Sequence, residues 1–244
     1  MRKFGLIGYP LGHSFSAKYF GAKFKNAGVA DCSYSNFEIA DISLLPEILK
    51  DPELRGINVT IPYKESVIPF LHSKDKVVEE TGACNCIRIE GGLLNGFNTD
   101  VKGFEESLTE KLNDSDKFAL ILGTGGSSKA VAWVLKNKGI SFLFVSRKSS
   151  DLTNHVTYAD LNSSIIEKYS LIINSTPLGM EPETGNCPPI PYDVINSRHY
   201  LFDLIYNPEK TLFLKKGEKA GARIKNGADM LAIQAEASWK IWNQ

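Results

Sequence analysis

No apolar run in this 244-residue sequence comes near the roughly 18 residues that a membrane-spanning helix needs; stretches such as Phe118–Leu122 and Phe142–Val145 are far shorter. Charge of one sign is lacking too. The 28 Lys and Arg residues balance 28 Asp and Glu, so the bulk charge gives no long-range attraction to polyanions or acidic membranes, and no local basic patch marks a nucleic-acid partner. Cysteine is sparse: Cys32, Cys84, Cys86 and Cys187. Arg2 and Lys3 start like the charged region of a secretion signal, but Gly5, Gly8, Pro10 and Gly12 break the apolar run behind them. A cytoplasmic chain with free thiols is therefore expected. Cys84 and Cys86 form CxC rather than CxxC and have no His or Cys at finger-like spacing, which argues against zinc; no metal is expected. What remains, at 43% hydrophobic and 23% charged, is ordinary globular composition with room for one large domain or two small ones. Disorder and collagen-like repeats are excluded.

Strand-like and helix-like patterns alternate along most of the chain, which predicts an α/β fold built on parallel strands. Strands are expected at 3–8, 33–38, 56–60, 84–89, 93–97, 118–123, 141–146, 171–174 and 200–204. Helices are expected at 16–27, 43–50, around 65–79, 100–112, 126–138 and 227–242. Glu90-Gly91-Gly92 reads as the turn of a hairpin, and Gly139 as a helix stop. The polar run Asn113–Lys117, just ahead of a fresh hydrophobic strand, is the expected domain boundary, dividing the chain into 1–112 and 113–224. In the last helix Met230, Gln234 and Ser238 share a face beside Leu231, Ala235 and Trp239. A buried glutamine amide needs partners, and on pattern alone a backbone bond or a place at the stripe's edge satisfies it.

The strongest local motif is Gly123–Ala130 (GTGGSSKA), lying between a hydrophobic strand and an amphipathic helix. In that setting Gly123 permits a tight turn, Gly125 lets a pyrophosphate approach the backbone, and the helix beginning at Gly126 presents amides and a positive dipole end. Ser128 stands where a full GxGxxG would have its third glycine, and the Walker pattern is absent, so nucleotide triphosphate hydrolysis is disfavoured. The alternative is a plain strand-to-helix turn. At the end of the next strand an acid would suit the ribose of NAD, but Ser146, Arg147 and Lys148 stand there, and two cations suit a 2′-phosphate. A solvated loop is the other reading, and Asp151 keeps NAD open. Ser14 and Ser16 in GHSFS could hold a small carboxylate or cap a helix. Asn58 and Thr60 share one face of a buried-looking strand, and Lys64 follows. Asn85 lies in another strand-like run, and Asp100 begins a helix. Taken singly, Lys64 reads as a surface lysine and Asp100 as a cap.

Together, GYPLGHSFS (8–16), NVTIPYK (58–64), GACN (82–85), NGFNTD (95–100), GTGGSSKA (123–130), NSTPLGM (174–180), DLIYNPEKT (203–211) and GADMLAIQ (227–234) resemble the shikimate dehydrogenase family over nearly the whole chain. The resemblance implies an N-terminal α/β substrate domain, 1–112, completed by the C-terminal helix 225–244. It also implies a Rossmann-like NADP-binding domain, 113–224, with a cleft between the two. It implies reversible, NADPH-dependent reduction of 3-dehydroshikimate to shikimate on the chorismate route. Lys64 and Asp100 would form the catalytic pair. Ser14 and Ser16 would hold the substrate carboxylate, and Asn58, Thr60, Asn85 and Gln234, with Asp100, its hydroxyls, which gives the buried glutamine a purpose. Gly123, Gly125, Gly126, Ser146, Arg147, Lys148, Thr176, Met180, Leu204 and Gly227 would serve the cofactor. A small-molecule substrate, no nucleic acid or membrane partner, and a monomer or homodimer follow as expectations.

Three segments depart from the family pattern: SAKYF replaces SPxxHN, Cys84 and Cys86 replace the Val and Thr that flank Asn85, and SRK replaces NRT. Cys86 is thereby expected near the substrate. The rivals are an NAD-linked quinate/shikimate dehydrogenase, against which the lack of an acid at 146–148 speaks, and a non-catalytic metabolite-binding protein of the same fold. A folate-linked dehydrogenase would need Tyr-x-x-x-Lys, whereas Tyr63 and Lys64 are adjacent.

Overall fold

The computed structural model describes residues 1–12, 15–150 and 153–244. In chain order the strands and helices are β1 Arg2–Gly8, α1 Phe15–Asn26, β2 Cys32–Glu38, α2 Leu45–Ile48, β3 Leu54–Val59, β4 Ser73–Lys74, α3 Lys76–Thr81, β5 Cys86–Glu90, β6 Leu93–Phe97, α4 Asp100–Thr109, β7 Phe118–Leu122, α5 Gly126–Asn137, β8 Ser141–Ser146, β9 His155–Thr157, α6 Ser163–Lys168, β10 Leu171–Asn174, β11 Tyr200–Asp203, α7 Leu212–Lys219, β12 Arg223–Lys225 and α8 Ala228–Trp242. They form two compact units: Met1–Asp100 with Gln234–Gln244, and Val101–Ile233.

The first unit holds a six-stranded mixed sheet in the order β2-β1-β3-β5-β6-β4. β1 pairs in parallel with β2 and β3, and β5 runs antiparallel to β3 and β6. The hairpin turn between β5 and β6 needs positive φ at both central residues, and only glycine supplies this cheaply; Gly91 and Gly92 sit at 58° and 81°. Strand periodicity then sorts the two faces. Ile57, Val59, Ile87 and Ile7 enter one core with Leu45, Val67 and Leu94. On the other face Phe4 and Cys86 pack with Phe20, Phe24, Ala235 and Trp242. Gly56 belongs to that second face, and a Cβ on it would run into the Trp242 indole. Trp242 also stacks on Phe4, with ring centroids 4.8 Å apart, and its Nε1 donates to the Ile87 carbonyl at 3.0 Å.

The second unit is a parallel six-stranded sheet, β12-β11-β10-β7-β8-β9. Counting from β7, this is the 3-2-1-4-5-6 order of doubly wound dinucleotide-binding folds. Helix α5 buries Ala130, Val131, Val134 and Leu135, and the chain leaves it through Gly139 at φ 68°.

Several sequence expectations are corrected. The break between units falls at Asp100/Val101, not at 112/113, and the C-terminal return begins at Gln234, not at 225. The apolar face of α4 belongs to the second unit, where Phe104 meets Phe202 edge-on at 5.2 Å. Asn113–Lys117 is a turn inside that unit. Its Asp116 is buried and receives both guanidinium nitrogens of Arg223 at 2.9 Å. The helix expected around 65–79 is instead a short 3-10 turn at Ile68–Phe70, where Pro69 interrupts, followed by β4 and by α3, which Asp75 caps through Val78 N. The helix expected at 43–50 shrinks to the 3-10 turn Ile42–Leu44 and the four residues of α2. The first sheet is mixed rather than parallel. Among the described residues no helix is long and apolar enough to cross a membrane, and no group of three His, Cys, Asp or Glu residues is arranged to hold a metal ion.

Trp242→Ala should destabilise the protein by about 3–5 kcal/mol, the usual cost of truncating a buried aromatic. Its urea unfolding midpoint measures this, and a shift equivalent to less than about 1 kcal/mol would mean that the indole does not anchor the helix.

Candidate active site

β3 turns two positions toward α8, Gly56 and, two residues on, Asn58. The glycine admits the indole, and one helical turn before Trp242 lies Ser238. Asn58 Nδ2 donates to Ser238 Oγ at 2.9 Å and to the Asn85 carbonyl at 3.2 Å, while its Oδ1 accepts from the Tyr34 hydroxyl at 3.0 Å. Tyr34 is half-buried, and burial pushes its phenol ionisation up, partly offset by the Ser16 side chain. Ser16 is itself buried near the start of α1. Thr60 follows on the same face, half-buried, its methyl lying over Gly8. Ser14 lies outside the described residues.

Lys64 and Asp100 form the centre. Nζ stands 2.6 Å from Oδ2, with side-chain exposures of only 12% and 8%. Lys64 is fixed through the backbone, its carbonyl accepting from Cys84 N at 2.8 Å, and Asp100 opens α4 with its N–H on Asn98 Oδ1 at 3.1 Å. The other carboxylate oxygen, Oδ1, accepts from Asn85 Nδ2 at 2.9 Å. Asn85 in turn takes Thr99 N at 2.7 Å and reaches Gln234 Oε1 at 3.5 Å. Thr99 Oγ1 lies 3.2 Å from Ser238 Oγ and 3.4 Å from Gln234 Oε1. Lys64, Asp100, Asn85, Gln234 and Asn58 therefore belong to one buried, hydrogen-bonded set. Such a set can donate a proton from an ammonium and read several hydroxyls at once. Cys86 lies beneath it, wholly buried in the aromatic cluster, its thiol ionisation pushed up by burial; it is part of the floor.

The residues expected to serve the cofactor lie at or after the C-terminal ends of the second unit's strands. Gly123 follows β7 at φ 111°, where a Cβ would also press on Ser175 Oγ at 2.8 Å, so only glycine fits. Gly125 is the N-cap of α5, with no side-chain cap, and no atom lies within 4 Å of a Cβ built on it. Gly126 opens the helix. Ser128 is buried and donates to the Gly125 carbonyl at 2.6 Å, tying the turn where the glycine pattern lapses. This open, glycine-walled helix start suits a pyrophosphate. Ser146 closes β8, with Oγ 2.7 Å from the Lys148 carbonyl, and Arg147 and Lys148 are exposed beside it.

Asp203, at the end of β11, is wholly buried and accepts from Thr211 Oγ1 at 2.6 Å, Ile205 N at 3.0 Å and Asn174 Nδ2 at 3.0 Å. Asn174 Oδ1 then accepts from Thr176 Oγ1 at 2.6 Å and from its N–H at 3.0 Å. Gly227 N donates to the Ile205 carbonyl at 3.1 Å, and a Cβ on Gly227 would fall on the Leu204 carbonyl. Met180 is 44% exposed. Sequence reasoning gave no role to Thr99, Ser238, Tyr34 or Asp203. The shared face of Gln234 and Ser238 was the available signal for one of them.

A doubly wound sheet with an open glycine turn, and a hydrogen-bonded set of polar groups around a buried Lys–Asp pair, define a dinucleotide-linked α/β oxidoreductase. Residues 6–87 match the model of the shikimate dehydrogenase substrate binding domain. The shikimate dehydrogenase (NADP(+)) of Halothermothrix orenii is 35% identical over 264 residues, covering 98% of this chain and 89% of that one. The crystal structure of shikimate dehydrogenase 1 from Peptoclostridium difficile superposes with a TM-score of 0.89 at 36% identity, over 100% of this chain and 92% of that one. That of the Thermus thermophilus enzyme in complex with NADP(H) and shikimate gives 0.82 at 27%, over 99% and 93%. This chain belongs to the shikimate dehydrogenase family.

Burial pushes the Asp203 carboxyl up to about 6, against the hydrogen bonds that oppose the shift. The folded protein therefore holds this proton more tightly than the unfolded chain, and the group's contribution to stability falls as pH rises from about 4 through 6. Asp203→Asn, which does not titrate, should gain on the wild type by about 2 kcal/mol between pH 4 and pH 7. Unfolding free energies of both proteins at the two pH values measure this, and a constant difference would disprove the shift.

Proposed function

We propose that this chain reversibly reduces 3-dehydroshikimate to shikimate with NADPH, on the route to chorismate and the aromatic amino acids. It acts in the cytoplasm on a small-molecule substrate, as a monomer or homodimer. The observation that carries this reading is the buried Lys64–Asp100 pair at 2.6 Å, joined through Asn85 to Gln234 and Asn58. NADP(H), when bound, supplies or takes up the hydride.

Reduction of a ketone builds negative charge on its oxygen, so a proton donor must stand at that atom. Lys64 fills this role, its ammonium stabilising the charge and giving up the proton. Asp100 holds the ammonium with one oxygen and, steadied by Asn85 on the other, accepts from a ring hydroxyl. Asn58, Thr60, Asn85 and Gln234 read the remaining hydroxyls, and Ser14 and Ser16 hold the ring carboxylate. Gly123, Gly125 and Gly126 receive the pyrophosphate, and Thr176, Met180, Leu204 and Gly227 the nicotinamide side. Ser146, Arg147 and Lys148 take the 2′-phosphate, since guanidinium binds phosphate bidentately. The first test is oxidation of shikimate by the purified protein with NADP⁺, read as NADPH absorbance; no turnover would refute the proposal.

Lys64→Ala should lower kcat by roughly 10²–10⁴ with a far smaller change in KM for shikimate, and Lys64→Met should match it, because the stem without its charge moves no proton. Wild-type kcat with weak binding would instead make Lys64 a binding residue. Arg147→Ala should weaken NADP(H) by about 1–3 kcal/mol of charged hydrogen bonding, read as apparent KM, and hardly touch NAD(H). Equal use of both cofactors by the wild type would remove this assignment.

A further inference from the structure

Ser238 takes no part in the scheme above, yet its side chain is wholly buried and sits at the junction of three elements. The hydroxyl donates back along α8 to the Gln234 carbonyl at 3.0 Å, which commits its one proton to the helix itself. The oxygen is left as an acceptor. Asn58 Nδ2 donates to it at 2.9 Å from β3, and Thr99 Oγ1 approaches to 3.2 Å from the segment before α4. The second amide proton of Asn58 goes to the Asn85 carbonyl at 3.2 Å, and the Tyr34 hydroxyl occupies Oδ1 at 3.0 Å. An amide oxygen accepts two hydrogen bonds. Among the described residues, then, the capacity Asn58 keeps for a ligand is one lone pair on Oδ1.

We infer that Ser238 is a positioning residue for the substrate: together with the Asn85 carbonyl it holds the Asn58 amide so that Asn58 meets a ring hydroxyl as an acceptor. The inference rests on the shikimate reaction proposed above. A purely structural hydroxyl would affect folding and leave recognition alone. A positioning hydroxyl acts on the ground-state grip of Asn58 on the substrate, and so on KM for shikimate rather than on proton transfer or on NADP⁺.

The test compares the full-length wild type with Ser238→Ala, Ser238→Cys, Asn58→Ala and the Ser238→Ala/Asn58→Ala double variant, with melting temperatures followed alongside steady-state kinetics. Ser238→Ala should raise KM for shikimate about 5- to 20-fold, with kcat and KM for NADP⁺ within about twofold, the effect expected of one lost buried hydrogen bond. Ser238→Cys should fall between the two, because sulfur is a weak acceptor. The double variant should bind shikimate no worse than Asn58→Ala alone, since one residue acts through the other. Wild-type KM in Ser238→Ala, or losses that add in the double variant, would overturn the inference. Should Ser238→Ala fail to fold, Ser238→Cys decides: a raised KM at native melting temperature supports the role and an unchanged KM overturns it. A wild type that neither binds nor turns over shikimate would instead remove the proposed function, and this inference with it. An active wild type indifferent to both Ser238 variants removes the inference alone.

Discussion

The first unit depends on one packing event, the Trp242 indole lying where Gly56 has no side chain. The fit sets both the height and the rotation of α8 over the sheet, because an indole stacked on Phe4 and hydrogen-bonded to the Ile87 carbonyl has little freedom left. With Trp242 fixed, helical geometry places Ser238 one turn back and Gln234 two turns back, over the row of β3 that carries Asn58. The polar set above the aromatic floor is thus registered by an apolar contact. Buried polar groups are costly unless satisfied, and here they satisfy one another.

In the second unit a carboxylate plays the organising part. Asp203 gathers Thr211, Ile205 N and Asn174, and Asn174 passes that order to Thr176. Strand ends in a parallel sheet leave backbone groups without ladder partners, and this relay supplies them. The tight approach of Gly227 to the Leu204 carbonyl brings the start of α8 into the same group of strand ends.

Much of this was legible in the sequence because it depends on local rules. The strand-glycine-helix unit at 118–138, the Gly91-Gly92 turn and the β10 strand follow from periodicity and turn chemistry, and the doubly wound second half follows from their alternation. Lys64, Asp100, Asn58, Asn85 and Gln234 are legible through the family resemblance of the motifs that carry them, and it is that resemblance, not the apolar stripe alone, that gives Gln234 a purpose. Other features were not legible for equally physical reasons. The apolar spacing over 65–79 imitates one helix, whereas Pro69 sits in a short 3-10 turn and β4 separates that turn from α3. Asn113–Lys117 reads as a linker because nothing local reveals that Asp116 is to meet Arg223, more than a hundred residues later. Thr99 and Ser238 are common residues whose meaning comes only from neighbours distant in sequence. The short strands β9 and β12 are edge elements of three residues each, below what alternation can signal.

The division of the first unit between Met1–Asp100 and Gln234–Gln244 bears on how the chain is made. As the polypeptide emerges, the aromatic cluster of Phe4 from β1 with Phe20 and Phe24 from α1 is present long before its cover exists, and all of Val101–Ile233 must be synthesised before Trp239 and Trp242 arrive. Through that interval the nascent protein presents an aromatic surface to its surroundings, the kind of surface that recruits chaperones and favours association with other unfinished chains. The helix that completes the buried polar set is therefore also the one that ends this exposure, so assembly of that set and loss of stickiness occur in the same folding step.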